Sequence, residues 1–204
     1  SWVERLCAIN SGALGMSKNP LEAARQIATG VEERVDCGRV NGLYFVNVFS
    51  FGIFTTTSQR TPDERKHRIG KLAYLIEGIK EFRSMHAVPL RVTADGEEFD
   101  FNSLMVLVFN GETAGGFPLA RRASIKDGMF DCVLLEKRNP LLSTLSMGRY
   151  LLGGNPREVR LVRARCIEIT SPVNEPTDVD GQPGADFPLH IECLPGELRV
   201  LCQP

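Results

Sequence analysis

Short strand-like runs set off by tight-turn residues are what most constrain this chain of 204 residues. Segments 90–94, 98–101, 104–109, 129–136, 159–169, 189–193 and 198–201 are rich in Val, Leu, Ile and Phe. Several of them alternate apolar with polar residues, the period that turns one face of a strand toward a core. Segment 43–51 is apolar enough to predict a strand buried on both faces and ending at Gly52. Asp95-Gly96 suits the positive φ angles of a type I′ hairpin turn, and Pro195-Gly196 predicts a further reversal. Helical periodicity is confined to three places. Asn19-Pro20 sets an N-cap and a first-turn proline ahead of Leu21, Ala24 and Ile27, with Gly30 beyond the end. Leu72, Leu75, Ile76, Ile79 and Phe82 predict a helix over 70–83, with Lys71, Glu77 and Lys80 toward water. Asn139-Pro140 opens the third, which carries Leu141, Leu142, Leu145 and Leu152 and closes at Gly153-Gly154. Many strands with few helices predict a mainly β fold, a β-sandwich or curled antiparallel sheet with a few marginal helices at its margin.

With 43% hydrophobic and 24% charged residues, a chain of this length buries a real core. Its 24 basic and 25 acidic residues give a net charge of -1. Such a balance provides no positive field for a phosphate backbone, which argues against nucleic acid as a partner. Six cysteines without a C-x-x-C pair, several inside strand-like runs, read as reduced thiols of a cytoplasmic protein. His67, His86 and His190 are too far apart for a local zinc motif. No apolar run reaches the roughly 18 residues of a membrane span, and no signal peptide is visible. The longer polar segments, 56–67 and 171–188, are where a compact domain would keep functional groups. Arg121 and Arg122, and Arg160, Arg163 and Arg165 on a predicted strand, are ordinary solvated surface by default. They would also favour transient contact with an anionic bilayer, at about 1 kcal/mol per basic residue.

Asn110-Gly111, Gly115-Gly116-Phe117-Pro118-Leu119-Ala120 and Ile125-Lys126-Asp127-Gly128-Met129 form a glycine-rich connection between two predicted strands. Alone it reads as a plain loop. Its place in a longer order carries more: Asp36 and Gly38, then Tyr44-Phe45, Ser50-x-Gly52, Gly70-Lys71-Leu72-Ala73-Tyr74, Asn110, Gly115-Gly116, Pro118-x-Ala120, Asp127-Gly128 and late Asp180-Gly181. That order, over residues 14–200, resembles the diacylglycerol kinase and sphingosine kinase-like lipid kinases, particularly their bacterial members.

The resemblance implies a two-domain α/β plus β enzyme, in which an N-terminal Gly-Gly-Asp-Gly-Thr loop holds ATP and a C-terminal β domain supplies lipid-facing and catalytic groups. No Gly-Gly-Asp-Gly-Thr occurs in this sequence, so residues 14–204 are expected to be the C-terminal domain and 1–13 a domain remnant, linker or engineered joint. The expected reaction of the whole enzyme is phosphorylation of a lipid hydroxyl, diacylglycerol to phosphatidic acid first, and the present chain alone is expected to be inactive. A non-catalytic lipid-binding or regulatory β-domain is the alternative, and a kinase of a soluble substrate a further one. By resemblance Asp180 is the general base. Gln182 takes the nucleotide-proximal place where the family has Glu, so a carboxylate role there is lost. Asp127 would hold a structural Mg²⁺ with the backbone carbonyls of Ser124 and Met129, a chemically reasonable ligand set for a hard cation. Read from spacing alone, Asp127 and Asp180 are both turn residues before glycine. The localisation expected is cytoplasmic with peripheral membrane contact.

Overall fold

In the computed structural model, which describes residues 17, 19–52, 86–111, 113–114, 117–118, 120 and 123–202, the apolar alternation becomes one antiparallel sheet of eleven strands. The strands are β1 (Val31–Val40), β2 (Leu43–Phe45), β3 (Val48–Gly52), β4 (Val88–Ala94), β5 (Glu97–Phe109), β8 (Phe130–Glu136), β9 (Val159–Ala164), β10 (Cys166–Thr170), β11 (Thr177–Val179), β12 (Gln182–Pro183) and β13 (Leu189–Cys202). A separate ribbon joins β6 (Thr113–Ala114) to β7 (Phe117–Pro118). The main order is β12-β11-β3-β5-β4-β10-β13-β1-β2, with β8 attached to β5 and β9 to β8. Although β2 ends that order and β8 branches from its middle, Phe45 and Phe130 stack with ring centroids 5.4 Å apart. The sheet is therefore curled, as expected.

Curling gives β5 and β8 two buried faces. Val106, Val108, Phe130, Cys132 and Leu134 point into the curl with Phe49, Phe51 and Ile191. Met105, Leu107, Phe109, Val133 and Leu135 point the other way, into a second core. Helix α2 (Pro140–Leu151) covers that second core through Met147 and Tyr150. Helix α1 (Pro20–Thr29) has the expected cap, with Asn19 Oδ1 accepting from the Leu21 N–H.

Several expected boundaries moved. The helix expected over 70–83, the loop 56–67 and the segment 1–13 lie outside the described residues. The hairpin at Asp95-Gly96 forms with φ of 46° and 90°, but its second arm runs on unbroken through 104–109 as β5. The stretch 43–51 is two strands, because the N–H groups of Val46 and Asn47 turn away to the Asp180 carboxylate. The stretch 159–169 breaks at Arg165, whose N–H, with that of Cys166, goes to the Asp95 carboxylate. Pro195-Gly196 does not reverse the chain. It lies within continuous β13, where Gly196 has φ of 62° and the register against β1 shifts between Val35 and Cys37. The loop 171–188 contains a small hairpin, β11 and β12.

Candidate functional site

The hairpin at 177–183 is built by a two-residue turn, Asp180-Gly181, with φ of 50° and 85°. Asp tolerates this left-handed conformation better than most residues, and Gly adopts it freely. Asp178 stabilises the turn by accepting the Gly181 N–H at 2.7 Å. With the turn fixed, Asp180 directs its carboxylate at the corner between β2 and β3. Oδ2 accepts the Val46 N–H at 2.7 Å, and Oδ1 accepts those of Asn47 and Val48 at 3.1 and 2.8 Å. Its own N–H returns to the Val48 carbonyl at 3.0 Å. Successive N–H groups aimed at one anion form a nest. Burial pushes the Asp180 carboxyl above its ordinary value, and the three N–H bonds partly pull it back. A carboxylate offers about four acceptor positions. Among the described residues three are taken, two on Oδ1 and one on Oδ2, which leaves a second position on Oδ2.

The same corner is gripped from its other side by Asn110, at the end of β5. Its backbone N–H donates to the Asn47 carbonyl at 3.0 Å, and its Nδ2 to the carbonyls of Val46 at 2.9 Å and Asp36 at 2.8 Å. Asn110 is fully buried, and its Oδ1 has no hydrogen-bond partner among the described residues. Asp36, 2% exposed in the middle of β1, accepts the Gly128 N–H at 2.7 Å and the Gly196 N–H at 2.9 Å. Asp36, Asn110 and Asp180 thus tie β1, the 125–128 loop, the β13 bulge and the β2–β3 corner into one polar knot beneath the apolar core.

The residues singled out in the sequence do not all meet there. Asp127 sits on the loop that Asp36 holds, but its carboxylate accepts the Met129 N–H at 3.1 Å and pairs with Arg163 at 2.7 Å. Ser124 Oγ is taken by the Lys126 N–H at 3.3 Å. Among the described residues no three His, Cys, Asp or Glu side chains gather as a metal site. The Asp127 carboxylate is thus engaged by the Met129 N–H and the Arg163 guanidinium, and no step below is routed through a metal there. Gln182 lies exposed on β12, beside the Asp180 turn and paired to Val179. Gly115, Gly116, Arg121 and Arg122 lie outside the described residues. Asp36 and Asn110 appeared in the sequence only as members of a motif order. The signal that marks them is an ionisable or amide residue at a position where the apolar pattern demands burial, Val35-Asp36-Cys37 and Val108-Phe109-Asn110.

Residues 47–202 match the family model described as the YegS C-terminal NAD kinase beta sandwich-like domain. The chain belongs to this family. Among curated relatives, the diacylglycerol kinase of Bacillus subtilis (strain 168) is 30% identical over 194 residues, covering 93% of this chain and 64% of that protein. The Pseudomonas aeruginosa (PAO1) protein named probable lipid kinase YegS-like is 32% identical over 186 residues, covering 89% of this chain and 61% of its own length. A diacylglycerol kinase structure from Bacillus anthracis strain Sterne superposes with a TM-score of 0.78 at 26% identity, over 97% of this chain and 66% of that one. The YegS-type chain therefore spans under two thirds of the relatives it matches. Of the residues that form the knot and its loop, Asn110, Asp127-Gly128 and Asp180-Gly181 lie within the matched residues, and Asp36 lies ahead of them.

Proposed function

We propose that this YegS-type domain is the lipid-facing part of an ATP-dependent lipid kinase, that its acceptor is a lipid hydroxyl with diacylglycerol as first choice, and that Asp180 is the general base. The observation that carries the reading is a half-buried carboxylate with raised basicity, fixed by three backbone donors and retaining an acceptor position on Oδ2, in a chain whose relatives are named diacylglycerol and lipid kinases. In the two-domain arrangement that the resemblance implies, ATP, accompanied by its own Mg²⁺, would be held outside these residues and supply the γ-phosphoryl group. The lipid hydroxyl oxygen attacks the γ-phosphorus, its proton passes to Asp180 Oδ2, and ADP leaves. Phosphoryl transfer has a loose transition state, so holding the hydroxyl in line matters more than strong basicity. The nest keeps the carboxylate in one place. Gln182, next to the turn, would offer an uncharged hydrogen-bonding group toward the nucleotide.

The test is transfer of labelled phosphate from ATP by the full-length protein to diacylglycerol, a sphingoid base and a soluble alcohol, beside the isolated 204-residue chain. Turnover on diacylglycerol by the former and none by the latter is expected. No turnover on any acceptor would favour a second reading, a non-catalytic lipid-binding or regulatory domain. That reading draws on two observations: Gln182 in place of a carboxylate, and an Asp180 carboxylate already occupied in holding backbone.

A further inference from the structure

The N–H and C=O groups of Val46, Asn47 and Val48, which make the corner between β2 and β3, are all bonded by two residues, Asp180 and Asn110. Asp180 accepts the three N–H groups on its carboxylate and gives its own N–H to the Val48 carbonyl. Asn110 donates to the other two carbonyls, to that of Val46 from Nδ2 at 2.9 Å and to that of Asn47 from its backbone N–H at 3.0 Å.

This division falls on the peptide planes. A peptide unit is rigid and planar, so its C=O and the N–H that follows move together. The Val46 C=O and the Asn47 N–H belong to one such unit. Asn110 Nδ2 holds its carbonyl end, and Asp180 Oδ1 holds its amide end at 3.1 Å. The next unit, the Asn47 C=O with the Val48 N–H, is held at one end by the Asn110 N–H and at the other by Oδ1 at 2.8 Å. A plane held at both ends cannot tip. Release of the Nδ2 bond would free the first plane to rotate and carry the Asn47 N–H away from Oδ1. Asn110 is anchored for this role, since Nδ2 also donates to the Asp36 carbonyl on β1 at 2.8 Å. Its Oδ1, fully buried, has no partner among the described residues. An unpaired buried acceptor is unfavourable, so what the amide contributes here is its two donors. The terminal torsion of an aspartate is broad and roughly two-fold, so hydrogen bonds alone decide which carboxylate oxygen faces where.

We propose that Asn110 positions the Asp180 carboxylate, acting through the 46–47 peptide, and thereby keeps Oδ2 open toward the lipid hydroxyl. The inference rests on the general-base reading of Asp180 for its catalytic purpose. Its physical test does not. In the 204-residue chain, with no ATP or lipid present, the proton resonances of the Asn47 amide and the Asn110 side-chain NH₂ are followed while pH carries Asp180 through its titration. Both are expected to shift with one midpoint, because protonation weakens Oδ1 as an acceptor and the change passes along the peptide plane. The other carboxylates of this region, Asp178 in the hairpin and Asp36 on β1, face the N–H groups of Gly181 and of Gly128 and Gly196. Loss of both shifts in Asp180→Asn therefore assigns the midpoint to Asp180.

Asn110→Leu keeps the bulk and removes both donors. The control is Ser103→Ala, which removes another buried bond of β5, from Ser103 Oγ to the Met105 carbonyl. Solvent exchange at the Asn47 amide should be about tenfold faster in Asn110→Leu than in the control. In the full-length protein, kcat toward diacylglycerol should fall about 10²-fold in Asn110→Leu with KM little changed, the effect of misplacing a reacting group by about 1 Å. Ser103→Ala should keep the wild-type kcat. An Asn110 NH₂ resonance blind to the Asp180 titration would overturn the proposal, whether or not Asn110→Leu folds. So would wild-type kcat in folded Asn110→Leu, or an equal loss in Ser103→Ala. If the resonances move together and the wild-type protein phosphorylates no lipid, the positioning of Asp180 stands and the kinase reading is lost.

Discussion

Gly38 has no room for a side chain: a Cβ there would lie 2.1 Å from the Phe45 ring, which is itself stacked on Phe130. Gly38→Ala should therefore cost about 1 to 3 kcal/mol through overpacking, seen as a lowered melting temperature. Unchanged melting would mean that Phe45 moves freely, against its 1% exposure. Asp180 bears on both stability and chemistry. Asn at this position turns an NH₂ toward a cluster of N–H donors and leaves at least one unsatisfied, at about 1 to 3 kcal/mol. Asp180→Asn should thus melt earlier than wild type, where a plain turn residue would predict little change. For Asp127 the Arg163 pair decides the expectation. Millimolar Mg²⁺ should leave the melting temperature of the wild-type chain unchanged, because a ligand stabilises only when it binds the folded state. A shift that grows with Mg²⁺ and is lost in Asp127→Asn would restore the metal role implied by resemblance. What could be read at this scale was residue type and turn chemistry, Asp-Gly twice over. What could not was the destination of each carboxylate, since Asp36, Asp95 and Asp180 all accept N–H groups from residues distant in sequence.

Those same three carboxylates explain which elements were legible. Both capped helices that lie within the described residues, and the Asp95-Gly96 hairpin, form as their local patterns predict. Periodicity and capping act over a few residues. The breaks at Val46, Arg165 and Gly196 were not visible, because each is made by a remote aspartate drawing backbone N–H groups out of a ladder that the apolar pattern would otherwise continue. The elements should also differ in local stability. β5 and β8 are buried on both faces, whereas α1 leaves Leu21 and Ile27 76% and 52% exposed. Amide exchange should be slowest in 104–109 and 130–135, approaching the global unfolding rate, and fastest among helical amides in 22–29. Comparable protection in α1 and β8 would contradict the packing described.

For the molecule as a whole, a curled antiparallel sheet and membership of the YegS-type lipid kinase family were both readable, the first from strand count and turns, the second from motif order. Among the described residues no helix is long and apolar enough to cross a membrane. The motif order that carried the resemblance turns out to be largely scaffold: Gly38 gives room to Phe45, Gly52 has φ of 94° and a Cβ there would lie 2.4 Å from the Leu104 carbonyl, and Asp36 and Asn110 hold the knot. Asp180 is where scaffold and proposed chemistry coincide. The most direct measurement is kcat for phosphoryl transfer from ATP to diacylglycerol by the full-length protein and its Asp180→Asn variant, in mixed micelles at saturating substrates and well below both melting temperatures. Loss of about 10² to 10⁴ in kcat with KM little changed is the result predicted for removal of the proton acceptor. Wild-type kcat in the folded variant would contradict it and leave Asp180 solely as the anchor of the β2–β3 corner.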